Sequence, residues 1–512
     1  MNAYLKLLRQ VIGLLFFTIL TLSFLGISTP LFRTATWFQF IPSVLKFLTL
    51  ATAVGFVVII LLTLLVGRVY CSFVCPLGIL QDIISRIGKK FRKQKIYRYS
   101  LPFNYLRYGL LAAVALSLLS GSIVALLLLD PYSLYGKIVS GLFRPGYIIA
   151  NDSLSKLLEN LHISITPIGL KNFSLFALIW GLMLTSIVVL FSYRRGRLYC
   201  NTICPVGTLL GLISRISVFK ISVQSSQCTR CGKCSSACKS ECIDFRQQKV
   251  DFDRCVGCFN CLSVCPENAL TLAPGYTRKP TPEKETDNHS RRLFLEIVAT
   301  GVIGTSIAAS LKAQNHNTGH SNKIPIRRKH TVTPPGSVSL DHFTAHCTAC
   351  QLCISQCPTH VLKPSIREYG LSGLLMPYMS YSESFCNYEC TVCSQICPTG
   401  ALLPLTVDRK KTLQIGKVIF IKENCIVFTS ETSCGACAEH CPTAAVHMVP
   451  YKGFLRIPET DQNICIGCGA CEYACPASPH KAIYVEGNPI HLQALKPREK
   501  ALETETPTEF PF

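Results

Sequence analysis

The sequence predicts an α-helical membrane bundle with two α+β modules dense in cysteine. The bundle has four helices arranged as a duplicated two-helix unit, and a fifth helix acts as a signal or anchor. Three observations predict it. Four apolar runs occupy the first 200 residues: Val11–Ser28, Phe47–Val66, Tyr108–Leu129 and Phe173–Tyr193. Each is near the ~20 residues a helix needs to cross about 30 Å of hydrocarbon. One cysteine motif recurs after the second and the fourth run. All but five of the 29 cysteines fall into groups of four.

The 512 residues suit three or four modules rather than one core. Net charge is +22, yet charged residues make up only 16% and mean hydropathy is +0.34. Soluble chains are about a quarter charged, so a basic, apolar chain fits a membrane protein with basic loops, not a nucleic-acid binder. The odd cysteine count opposes a fully paired disulfide framework. No C-x-x-C-H occurs, and no apolar run carries a His, which argues against c-type haem and against a haem held by two histidines within the membrane. Neither G-x-G-x-x-G after a strand nor G-x-x-x-x-G-K-[ST] is present to mark a nucleotide site.

Basic residues set the expected orientation. Arg68, Arg86, Lys89, Lys90, Arg92, Lys93, Lys95 and Arg98 lie between the second and third runs, and Arg194, Arg195, Arg197, Arg215 and Lys220 follow the fourth. The positive-inside rule puts these segments and the N-terminus in the cytoplasm. Asp130–Asn172 then faces the periplasm or the outside.

The repeat reads R-x-Y-C-x-x-x-C-P-x-G at Arg68–Gly78 and again at Arg197–Gly207, each followed at equal offset by I-S-R-I. A duplicated unit brings Cys71, Cys75, Cys200 and Cys204 close together. Four thiolates could hold one iron–sulfur cluster or form redox-active pairs, and a buried structural Cys is the inert alternative.

The other motifs carry plainer chemistry. Cys228, Cys231, Cys234 and Cys238 precede Cys255, Cys258, Cys261 and Cys265-Pro266, the bacterial dicluster pattern. Three cysteines at steps of three wrap a loop around three corners of a [4Fe-4S] cube, and the distant Cys of the other motif fills the fourth. One set is Cys228, Cys231, Cys234 and Cys265; the other is Cys255, Cys258, Cys261 and Cys238. Zinc prefers two C-x-x-C knuckles across a longer spacer and has no use for a third evenly spaced Cys. Cys242 is extra, and an alternative to Cys238, which lacks a following Pro. Four more motifs follow: Cys347, Cys350, Cys353 and Cys357; Cys386, Cys390, Cys393 and Cys397; Cys425, Cys434, Cys437 and Cys441; Cys465, Cys468, Cys471 and Cys475. The second and third have longer first gaps. Six [4Fe-4S] clusters are expected, two in 226–275 and four in 341–490, with one more at the C-x-x-x-C-P motifs under the cluster reading. Nested and adjacent exchange of the fourth Cys among the last four motifs both remain open.

A polar linker leads to Ser290-Arg291-Arg292-Leu293-Phe294-Leu295 and an apolar run to Leu311. This resembles a twin-arginine export signal placed internally. The expected division is a membrane domain at 1–225, a cytoplasmic two-cluster module at 226–275, linker, signal and fifth helix at 276–340, a periplasmic four-cluster module at 341–490 and a disordered tail at 491–512.

These motifs resemble a known family. Met1 to about Ala273 resembles NapH-type membrane quinol dehydrogenase subunits, and Ser290 to about Val485 resembles NapG-type subunits. The chain looks like a NapH–NapG fusion, although the C-x-x-x-C-P repeat also occurs in NosR and CcoG-like proteins. The resemblance implies ferredoxin-like modules in the bacterial inner membrane, oxidising quinol and feeding a soluble periplasmic reductase. Donation of electrons during assembly of a respiratory metalloenzyme, and redox sensing, are the alternatives. No catalytic residue is marked. Asp82 and Arg86 on one side, and Asp130, Tyr132 and Arg144 on the other, are the polar groups near the interfaces, and each also reads as a helix-end anchor or cap.

Overall fold

The computed structural model describes residues 2–27, 31–50, 54–91, 97–159, 162, 166–171, 173–274 and 323–496. The twin-arginine motif and the fifth helix lie outside the described residues.

Among the described residues, two helices are long and apolar enough to cross a membrane: the first, whose apolar part is Tyr4–Leu25, and Leu175–Arg195. They carry the first and fourth expected runs. The other two runs are not continuous helices. Phe47–Val66 is divided between helices Phe40–Leu50 and Gly55–Val66. At Gly55 any Cβ would overlap the Trp37 carbonyl oxygen, so the second helix begins where the backbone packs closest. Tyr108–Leu129 is divided between Asn104–Leu119 and Val124–Leu129. Gly121 turns the chain there at φ +75°, a left-handed conformation that glycine adopts at little cost.

Two cysteine-rich modules pack against opposite ends of the first helix, Asn2–Leu25, which is about 36 Å long at 1.5 Å per residue. Near its start, Lys6 Nζ donates to Ser263 Oγ of the first module (3.3 Å). Near its end, the Ser23 carbonyl accepts from Gln356 Nε2 of the second (2.7 Å).

The first module is closed by antiparallel pairing of Phe219–Val223 with Leu270–Pro274. It therefore starts at Phe219, ahead of the expected boundary at 226, because its first strand is needed to pair its last. The second module consists of small antiparallel pairs and one longer pair, Leu413–Phe420 with Ile483–Gln493. Two expectations change here. Residues 487–493, placed partly in a tail, complete this strand pair. Residues 323–340, placed in a linker, are packed: Arg328 pairs with Glu472, Asn424 exchanges hydrogen bonds with the Ile324 backbone, and Val332 is buried.

Candidate functional site

The repeat builds a buried centre with approximate two-fold symmetry. In each copy the first Cys lies in a short helical turn, Tyr70–Phe73 or Leu198–Thr202. The second Cys precedes a helix opened by Pro, Pro76–Phe91 or Pro205–Ser214, the helix position proline suits best. Cys204 Sγ accepts from the Gly207 N–H (3.3 Å) at this helix start. The two copies then lock each other. Arg68 Nη2 donates to the Cys200 carbonyl (3.1 Å), and Arg197 Nη1 donates to the Cys71 carbonyl. Gly78 and Gly207 sit against the same carbonyls, and a Cβ at either would overlap them. The four thiols are buried and face one another, Cys75 toward Cys71 and Cys200, Cys204 toward the other three.

Two charged hubs brace this centre, and the first module contributes to both. Asp82 takes Arg9 on one carboxylate oxygen (2.8 Å), and Arg197 (2.9 Å) and Lys239 (3.4 Å) on the other. Burial alone would raise the Asp82 carboxyl, but Arg197, Lys239 and Arg9 outweigh it and hold it well below the usual range. At the other hub Asp253 takes Arg107 (3.3 Å) and Arg215 (3.0 Å), and its carbonyl accepts from Arg68 (2.9 Å). This accounts for the missing proline after Cys238. Lys239 occupies that position because its ammonium reaches Asp82 and its carbonyl accepts from the Arg197 N–H (3.1 Å).

In the four regularly spaced motifs, the residues two and four places after the first Cys are left-handed: Arg230 and Gly232, Gly257 and Phe259, Ala349 and Gln351, Gly467 and Gly469. Such turns aim successive N–H groups into a concavity that accepts anionic sulfur. The thiols gather by adjacent exchange. Cys228, Cys231, Cys234 and Cys265 line one cavity, and Cys425, Cys434, Cys437 and Cys475 line another. Cys255, Cys258 and Cys261 face Cys238. Cys347, Cys350 and Cys353 face Cys397, while Cys386 and Cys393, in the motif with Cys390, face Cys357. Cys465, Cys468 and Cys471 face Cys441. Cys242 adjoins one set, its sulfur 3.5 Å from Cys238 Sγ and hydrogen-bonded to Cys255 as well.

Among the described residues no three His, Cys, Asp or Glu side chains converge tightly enough to grip a single ion. Four soft thiolates around a shared cavity fit an iron–sulfur cube.

The sets follow one another. A single buried core holds Cys258 of the first module, all four repeat cysteines, and Cys350 of the second. Beyond it, Cys353 and Cys393 share a core, and the Cys386 N–H donates to the Cys468 carbonyl (3.0 Å). Buried cations accompany the line: Arg68 and Arg197 at the centre, Lys137 near Cys347 and Cys350, and Lys410 against Cys386. Arg68 and Arg197 could have been found from their equal offsets in the repeat. Lys137, a single charge in a short helix, gave no signal.

The remaining polar positions divide. Asp130 caps the Pro131–Ile138 helix, accepting from the Ser133 N–H (2.8 Å). Tyr132 is buried beside that cap, and Arg144 bonds His360 of the second module (3.2 Å). Asp82 and Arg86 instead line a cavity beside the first helix.

Family comparisons find 4Fe-4S domains in several places along the chain. The 4Fe-4S binding domain model matches residues 48–94, 176–224 and 391–415, a second 4Fe-4S binding domain model matches 249–271, and the 4Fe-4S dicluster domain model matches 432–478. The methylamine utilization ferredoxin-type protein MauM of Methylophilus methylotrophus is 34% identical over 203 residues, 38% of this chain and 84% of that protein. Two ferredoxin-type proteins of Escherichia coli K12 are similar: NapF, 28% identical over 157 residues (31% of this chain, 87% of NapF), and NapG, 26% identical over 200 (37% and 81%). No solved structure matches. With cysteine sets suited to clusters and with these relatives, the chain belongs to the family of ferredoxin-type iron–sulfur proteins that includes MauM, and is an electron-transfer protein related to the Nap ferredoxin-type proteins.

Proposed function

We propose that the chain is a membrane electron conduit that takes electrons from quinol on one side and delivers them to a soluble redox partner on the other. One observation carries this reading: the continuous buried core from Cys258 through Cys71, Cys75, Cys200 and Cys204 to Cys350. Two modules at opposite ends of a helix about 36 Å long would be too far apart for one transfer, and the repeat cysteines occupy the interval. In this reading the six motif sets and the repeat cysteines hold seven [4Fe-4S] clusters, with Cys242 a hydrogen-bond donor beside its set. When bound, each cluster accepts and returns one electron at a potential set by charge, burial and hydrogen bonds to sulfur. The protein's part is to exclude water, hold the thiolates and offset their charge with buried Arg and Lys. The exposed apolar faces of the first helix and of Leu175–Arg195 meet lipid, the first module and the basic segments lie in the cytoplasm, and the second module lies in the periplasm.

The test is anaerobic. A reduced menaquinol analogue is added to the detergent-purified protein, and absorbance and electron paramagnetic resonance are followed. Reduction within seconds is expected. Centres that take electrons from dithionite but not from quinol would overturn the quinol reading.

A further inference from the structure

A cavity of about 330 Å3 lies between the first helix and the Pro76–Phe91 helix, within the size range of small-molecule sites. Its walls are mainly apolar, with Leu14 and Gly13 on one helix and Ile79, Ile83 and Ile87 on the other, interrupted by Gln10 and Arg86. Its floor is polar, made of Arg9, Asp82 and Lys239. Gly13 keeps the inner end open: a Cβ there would stand 3.3 Å from the Ser72 carbonyl oxygen and 3.6 Å from Ile79 Cδ1.

Three features say what fits. Arg9 is 5% exposed, and its Nε has no hydrogen-bond partner among the described residues. A buried donor without a partner costs about 1–3 kcal/mol, and Arg9 lines the cavity, so a ring oxygen there would meet a guanidinium that the protein does not fully engage. Asp82 has both oxygens engaged by cations, so the floor presents donors rather than a free carboxylate. At the mouth, Leu14 and Ile87 are 57% and 53% exposed, and Val11, one turn from Leu14, is 58% exposed. An apolar chain could leave along that stripe. The cavity also lies where electrons would enter: Ser72 on its wall follows Cys71, and Lys239 follows Cys238.

We propose that this cavity binds the head group of a prenylated quinone or quinol, one ring oxygen on Arg9 and the isoprenoid chain passing between Leu14 and Ile87. The proposal rests on the quinol reading above and adds the place. An anionic phospholipid is the rival occupant, and the test separates the two.

The iron-loaded full-length protein in detergent is labelled with a photoreactive azidoquinone, and the labelled peptides are mapped. Label is expected on residues 9–14 and 79–87, displaced by excess menaquinone but not by phosphatidylglycerol. Leu14→Trp and Ile87→Trp, both at exposed positions, are expected to reduce labelling at least about tenfold, a loss of about 1.4 kcal/mol in binding, with iron content and cluster spectra unchanged. Displacement by phosphatidylglycerol as readily as by menaquinone would overturn the proposal in favour of a lipid site. Label elsewhere, in a protein whose centres quinol still reduces, would overturn the site and leave the quinol reading standing. Neither label nor reduction would overturn both.

Discussion

Asp82 is the residue on which the central site most depends. It is the shared counter-ion of Arg9, Arg197 and Lys239 in a buried setting, and removing it leaves three cations unpaired. Asp82→Asn is expected to cost about 3–5 kcal/mol, read as a fall in the unfolding midpoint of the detergent-solubilised protein. Gly207→Ala tests the two-fold lock. Its Cβ would overlap the Cys200 carbonyl and sit 2.8 Å from Arg68 Nη2, so, if the repeat cysteines hold a cluster, loss of its signal is expected. Gly109→Ala, in a helix with nothing within 4 Å, is the control and should be neutral or stabilising by up to about 1 kcal/mol. The cysteines were legible in the sequence because cluster ligands obey fixed spacing. The arginines were visible only as repeated letters, since nothing in a linear pattern says that each reaches into the other copy. Lys239 looked like a defect in a motif, and its reason lies in a carboxylate 157 positions earlier in the chain.

At the level of elements, regular spacing predicted regular loops. The four C-x-x-C-x-x-C motifs share their left-handed positions, whereas Thr391 and Gly435, in the two motifs with longer first gaps, have negative φ. The apolar runs were legible as apolar but not as continuous, because length and hydropathy do not register a backbone contact such as that at Gly55. The Ile483–Gln493 strand was partly missed because its second half is mostly exposed and its alternation, Ile490 to Gln493, is only four residues long after Pro489. That strand bears His491, whose Nε2 lies 2.8 Å from Thr333 Oγ1. Burial pushes its ring down to about 4, below the ~6.5 of an unfolded chain. The unfolded state therefore binds the extra proton, so this contribution is complete above about pH 6.5 and is lost as pH falls toward 4. The melting temperature of the wild type should drop more between pH 7 and pH 5 than that of His491→Gln, as calorimetry of both proteins would show.

The molecule as a whole is a line of thiol sets with the repeat cysteines in the middle. If they carry the seventh cluster, Cys71→Ser should lower iron by about four atoms per chain and leave the spectra of both modules in place. Reduction of the second module through the first should then slow at least about a hundredfold, about 2.8 kcal/mol in barrier, as rapid-mixing spectroscopy would resolve. Full retention of both iron and rate would remove the repeat from the path. The first module also does more than carry sulfur, because Lys239 and Asp253 complete charge clusters whose other members lie in the helical domain. Synthesis delivers the helices before either residue leaves the ribosome. A newborn chain thus holds Arg107 without its carboxylate until the first module folds, so the helical domain completes its charge pairing last, from residues that follow it in the chain.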